Sequence, residues 1–254
     1  MNRSGEPTLI ASVQRALRLL EVVGQHPGGI TAKCLARNTG LALPTTYHLL
    51  RTLVHEGYLA KLDDGAFIVG DQVAGLHDAA QAQQLRSRIR GVMTELREDL
   101  NAAIYLARYH EGEVVVDAIV DSPRTPRVDA WVDFREAAHA TAVGKCLLSG
   151  LSKDERTDHF RRYPPEDLTP RTITGLRELV ERPTPALVTD TEEYSLGTAC
   201  LAAPVEGSDS PATLALSFPA RKLAATGDYV RPLRAAADEI SRVLAVAGEY
   251  PNWN

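Results

Sequence analysis

Glycine and proline divide the first third of this chain into segments too short for anything but a small, tightly packed helical domain. Leu9, Val13, Ala16, Leu17, Leu20 and Val23 recur at three- and four-residue spacing, the apolar face of a helix that stops before Gly24 and the turn His26-Pro27-Gly28-Gly29. Thr31 is placed to cap a second helix, with Leu35 and Ala36 facing inward and Gly40 ending it. Pro44 suits the first turn of a third helix, where a missing N–H is harmless. That helix has a core stripe of Thr46, Leu49, Leu50 and Leu53. Its opposite face carries Thr45, His48, Thr52 and His55, flanked by Tyr47 and Arg51, and Gly57 closes it. Two β-prone runs, Tyr58 to Leu62 and Ala66 to Val69, then meet across Asp63-Asp64-Gly65, a hairpin signal. Three short helices and a hairpin, in that order, predict a winged helix-turn-helix over residues 9–76, behind a disordered stretch at 1–8.

Residues 77–100 are polar-rich, interrupted by glycine only at Gly91, and predict a linker helix. From Ala102 the pattern turns strand-like: AAIYLARYH, a turn at Glu111-Gly112, then EVVVDAIV. A loop with Pro123 and Pro126 leads to RVDAWVD, a helix-like TAVGKCLLSGL and helical segments near 153–162 and 172–182. Strand-like runs return at ALVTD, CLAAPV and TLALSF, and a helix over about residues 229–248 closes the chain. Strands separated by helices predict an α/β unit over 101–254, a sheet flanked by helices, and an α+β chain as a whole.

At 254 residues, with 44% hydrophobic and 24% charged side chains, two folded domains fit, and a disordered or fibrous chain does not. Cys34, Cys146 and Cys200 are odd in number and far apart, so no disulfide framework, metal site or cofactor is expected. No apolar run approaches the roughly 20 residues that cross a bilayer, and MNRSGEPTLIAS lacks the apolar core of a signal peptide. A cytoplasmic protein without membrane contact is the expectation. Charge is divided unevenly: residues 1–77 carry net +1 and the rest net −6. Such a head permits local phosphate contacts from a few placed cations, with modest non-specific DNA affinity that falls with salt.

Within the third helix, threonine and histidine can reach base edges and arginine can reach guanine or phosphate, so residues 44–52 are candidates for the major groove. Protein contact is the competing use of such a domain, and the acidic tip Asp63-Asp64 argues against a wing lying tight on the DNA backbone. Farther on, His139 to Lys145 superficially resembles a phosphate loop, but His139 stands where the first glycine is needed and Cys146 follows the lysine. A helix beginning there can still offer free N–H groups to an anion. His139 itself reads as a structural histidine bonded to a neighbouring loop. Cys200 with a His139 base and an Asp190 orienter would be the logic of an activated thiol. No spacing supports that triad, and no hydrolase elbow, zinc pair or dinucleotide fingerprint occurs.

Taken in order, these segments resemble the IclR family of bacterial transcriptional regulators over about residues 8–248. In the head the resemblance lies in Ser12 to Leu20 and in Leu49-Leu50-Arg51-Thr52-Leu53, running to Glu56-Gly57-Tyr58-Leu59. In the body it lies in His139 to Lys145 and in Ala186, Asp190, Glu193, Cys200-Leu201-Ala202 and Val205. The resemblance implies a DNA-binding head, a linker helix and a GAF-like effector-binding domain, assembled as a homodimer or a tetramer of two dimers. It also implies an effector pocket near Ala142, Val143, Asp190, Cys200 and Ser217, to which Leu106 adds apolar wall. Arg127 is either a partner for an acidic effector or a solvated surface charge. The chain departs from the family pattern at Pro44, Thr45 and His48, at Glu206-Gly207, and at Phe218-Pro219 after Ser217.

The resulting expectation is a non-enzymatic, ligand-responsive regulator, a repressor before an activator, on a pseudo-palindromic double-stranded operator. Thr45, Thr46, Tyr47 and His48 are expected near bases and Arg51, Arg15 and Lys33 near phosphates, with a small organic acid as one class of effector. The alternatives are a small-molecule sensor without DNA binding and a cysteine-dependent enzyme.

Overall fold

A computed structural model describes residues 9–130, 132–181, 187–208, 210–247, 250, 251 and 253. The terminal stretch 1–8, Trp131 of RVDAWVD and Ala186 lie outside the described residues. The chain divides into two compact units, residues 1–81 and 82–254.

In the first unit, helices α1 (Ala11–Gly24), α2 (Ala32–Thr39) and α3 (Leu43–His55) are joined by a small antiparallel sheet of β1 (Ile30–Thr31), β2 (Leu59–Lys61) and β3 (Ala66–Val69), ordered β1-β3-β2. Thr31 caps α2 by accepting the Cys34 amide at 3.5 Å, and Gly40 ends that helix in the left-handed conformation. At the wing tip, Asp64 Oδ1 accepts the Ala66 amide at 2.9 Å while Gly65 takes φ 84°, so one of the two acidic tip residues is held by the turn itself. Leu19, Val23, Leu35, Leu50, Leu59 and Phe67 form the core. The inward face of α1 is therefore not the one expected: Leu19 and Val23 are buried, while Leu9, Val13 and Leu17 remain more than half exposed. The apolar stripe continues around the helix beyond what α2 and α3 cover.

Helix α4 (Asp71–Leu100) begins ahead of the expected residue 77, with Asp71 in its first turn where a negative charge suits the helix dipole. In the second unit a five-stranded antiparallel sheet runs β5-β4-β8-β7-β6, from β4 (Ala103–His110), β5 (Glu113–Val120), β6 (Val188–Thr191), β7 (Thr198–Val205) and β8 (Ala212–Pro219). Residues 127–130, 132 and 133 form no strand. Strand alternation splits β4 between two cores. Ile104 and Leu106 join Leu201, Leu214 and Leu216 beneath the end of α4 and α8 (Thr226–Ala247). Ala103, Tyr105 and Ala107 face α5 (Ala142–Ser149), α6 (Lys153–Arg162) and α7 (Leu176–Glu181) on the other side.

Candidate DNA-reading helix and ligand pocket

In the head, α3 presents Tyr47, His48, Arg51 and Thr52 to solvent, with Thr45 half-buried beside them. Arg15 on α1 and Lys33 on α2 are exposed as well. Thr46 is a correction. Its side chain is fully buried and its hydroxyl donates to the Ala42 carbonyl at 3.2 Å, one turn back, so it belongs to the core and cannot reach a base.

In the second unit, Asp190, Cys200, Ser217 and Ala103 stand opposite one another on β6, β7, β8 and β4. Directly paired residues share a sheet face, so these four residues from four strands form one row. In the neighbouring row Ala202 and Ala215 separate Val188 from Tyr105, and these small side chains leave space above the sheet. Helix α5 roofs that space. Thr141 caps it, its Oγ1 accepting the Gly144 amide at 3.0 Å. Gly144 is required by packing, since a Cβ there would sit 2.3 Å from backbone atoms of Ala138.

The enclosed pocket is lined by Tyr105, Val128, Phe134, Thr141, Ala142, Val143, Asp190, Tyr194, Cys200, Ala215 and Leu216, and its free space is about 20 Å³. Val128 and Phe134 line it and, with Val132, form a strap held by two tyrosine hydroxyls. Tyr105 accepts the Val128 amide at 2.7 Å and shares a 3.1 Å hydrogen bond with Ser217 Oγ. Tyr194 donates to the Val132 carbonyl at 2.7 Å, and its ring stacks on Phe134 with centroids 5.9 Å apart. The space is barely larger than a water.

Charge beside the pocket is concentrated in three residues, of which Asp190 lines it. Lys145, buried, donates to Glu193 Oε1 at 2.6 Å, and the Glu193 amide donates to Asp190 Oδ1 at 2.9 Å. Burial pushes the Asp190 carboxyl up to about 6, with the Glu193 amide and Lys145 pulling the other way. Burial and the adjacent Asp190 carboxylate push the Cys200 thiol upward too, the opposite of an activated nucleophile. His139 donates through Nε2 to the Glu166 carbonyl at 2.9 Å and does not line the pocket.

Of the residues expected around an effector, Ala142, Val143, Asp190 and Cys200 line the pocket, and Ser217 touches it through Tyr105. Leu106 is a correction: it is fully buried on the opposite face of the sheet, and the wall belongs to its neighbour Tyr105. Arg127 is a second, lying outside the pocket as an exposed partner of Asp121 at 2.7 Å. Sequence reading missed Tyr105, Phe134, Tyr194 and the Lys145–Glu193 pair. The alternation of AAIYLARYH carried the signal for Tyr105. Among the described residues no group of three potential ligands is placed to hold a metal ion, and no helix is long and apolar enough to cross a membrane.

Comparison with known proteins gives this architecture its context. Residues 12–63 match the family profile of the IclR helix-turn-helix domain, and residues 77–242 match that of the bacterial transcriptional regulator IclR C-terminal domain. The chain is 25% identical to the acetate operon repressor of Salmonella typhimurium, over 94% of this chain and 90% of that protein. It is 26% identical to the transcriptional repressor IclR of Escherichia coli, with the same two coverages, 94% and 90%. A crystal structure of a transcriptional regulator from Rhodococcus sp. RHA1 superposes with TM-score 0.58 at 25% identity, over 94% of this chain and all of that one. A helix-turn-helix head and a sheet-and-helix body, each matched in order to its own profile, make this chain a member of the IclR family of ligand-responsive, DNA-binding transcriptional regulators.

Proposed function

We propose that this regulator acts as a repressor, as the acetate operon repressor and the transcriptional repressor IclR are named, and that it reads a pseudo-palindromic operator through α3 as a homodimer or a pair of dimers in the cytoplasm. Thr45, Tyr47 and His48 lie near bases, and Arg51, Arg15 and Lys33 near phosphates. The observation that carries this reading is the exposed hydrogen-bonding face of α3 set against its buried Thr46 and Leu50. Pairing of heads is supported by the apolar stripe Leu9, Val13 and Leu17, left exposed on the single chain.

The effector is a small organic acid held in the pocket beneath α5. First-turn amides of α5 and the Tyr105 hydroxyl take its polar end, Asp190 sets its protonation preference, and the Phe134 and Tyr194 rings cover its apolar part. Entry moves the Val128–Phe134 strap, and a ligand with different affinity for the two strap positions shifts the population of DNA-competent heads.

The test is footprinting on the protein's own upstream DNA across a salt series, with Thr45→Ala/His48→Ala beside the unaltered chain. Each lost base contact removes roughly 1–3 kcal/mol of discrimination, so sequence preference is expected to vanish while the fold persists. An unchanged footprint would remove α3 from the reading role. Substituting Asp190 and Ser217 is expected to blunt the effector response with DNA binding retained; a normal response would put the pocket elsewhere.

A further inference from the structure

Behind the Tyr105–Ser217 hydrogen bond, on the outer side of the closed pocket, the second unit has an open cleft with about 420 Å³ of free space. That volume lies in the range typical of small-molecule sites, and it needs no movement of the strap. Arg124, Arg221 and Lys222 line it, beside Asn101 and the buried side chains of Thr125 and Ser217, and no carboxylate does. Several arginines elsewhere in this unit are matched, Arg108 with Asp117, Arg127 with Asp121, Arg135 with Asp133 and Glu113, and Arg171 with Glu192. Among the described residues Arg124, Arg221 and Lys222 have no ion-pair partner. Residues 78–254 carry net −6, so three cations gathered from a turn at Arg124 and a short 3-10 helix at Ala220–Ala225, around a cleft free of acids, run against the composition of the unit that builds them. Gathered like charges repel, and a bound counter-charge removes that cost.

We propose that this cleft is a second ligand site, separate from the pocket beneath α5, for a small anion carrying two or more negative charges as carboxylates or phosphates. Two guanidinium forks and one ammonium favour a multivalent anion over a single carboxylate, because each fork takes a planar oxygen pair. The hydroxyl and amide groups of the inner wall supply neutral contacts for the remaining oxygens.

Calorimetric titration of the full chain with citrate, pyrophosphate and acetate tests this without operator DNA or an inner-pocket ligand, so its outcome is independent of the proposed repressor function. Citrate or pyrophosphate is expected to bind once per chain, at least about tenfold more tightly than acetate. The tighter of the two identifies the anion as carboxylate or phosphate. Arg124→Gln/Arg221→Gln is expected to weaken that binding by about tenfold or more, while Arg177→Gln, an exposed charge outside the cleft, leaves it within about twofold. Should the double variant fail to fold, Lys222→Gln alone gives the same test with a smaller loss. Absence of binding by both polyanions, equal binding by the cleft variants and the unaltered chain, or acetate binding as tightly as either polyanion would overturn the proposal.

Discussion

Asp190 is the residue at which the pocket's chemistry and its stability meet. Its carboxyl is lifted from 3.8 to about 6, chiefly by burial, so the native state favours the neutral form. The stabilisation this gives is fully present below pH 3.8 and is lost as pH rises through about 6, where the buried group must ionise. Asp190→Asn keeps an oxygen for the Glu193 amide and cannot ionise. Across about pH 4 to 7.5 the unfolding free energy of the unaltered chain, read by chemical denaturation, should fall relative to that of Asp190→Asn by on the order of 3 kcal/mol at most. A pH-independent difference would show that Asp190 titrates normally. The cysteines give a second test at this scale. Cys34 is exposed, Cys146 is buried with its thiol pushed up to about 11, and Cys200 is raised as well. Iodoacetamide should therefore label Cys34 first in the native chain, followed by mass mapping. Rapid labelling of Cys200 would revive the thiol-enzyme alternative.

Among the elements, α5 depends on a position where a side chain has no room. The Gly144 Cβ site is 2.3 Å from Ala138 backbone atoms, which cannot swing aside as a side chain would. Gly144→Ala should cost roughly 3 kcal/mol in chemical denaturation, against a few tenths for an alanine at exposed, open Gly75 after allowance for helix propensity. Helix α1 fails differently: Leu17 is 54% exposed and Val13 51% exposed. If that stripe joins two heads, Leu17→Glu leaves the fold of the head intact and shifts sedimentation toward the monomer; unchanged sedimentation would assign pairing to another surface. These elements also show what could be read in advance. Gly, Pro and capping Thr set the helix ends of the head, because each acts on its own few residues. Faces were harder. Thr46 is buried because its hydroxyl is satisfied by its own helix, and Leu106 was chosen over Tyr105 because strand parity depends on which side α5 packs. Lys145 and Glu193 are 48 positions apart, and no local pattern announces a pair that only tertiary packing creates.

Across the molecule, the proposed DNA contacts assign charge and base reading to separate residues, and salt tells the two apart. From residue 9 onward the head holds its cations at Arg15, Arg18, Lys33, Arg37, Arg51 and Lys61, whereas residues 78–254 carry a net charge of −6 that disfavours the DNA backbone. Non-specific affinity must therefore come from those few side chains, each phosphate contact contributing about 0.9 to the slope of log affinity against log salt. A dimer carries every contact twice, so Arg51→Gln should lower the slope by about 2 and weaken operator and random DNA alike. His48→Ala should leave the slope in place and narrow the gap between operator and random DNA, since a contact to a base edge releases no counterion. Binding isotherms on both DNAs over about 50–300 mM salt separate the two effects. A slope unmoved by Arg51→Gln would place that arginine on a base edge or away from the DNA. A slope moved by His48→Ala would place the histidine on phosphate and leave operator reading to Thr45 and Tyr47.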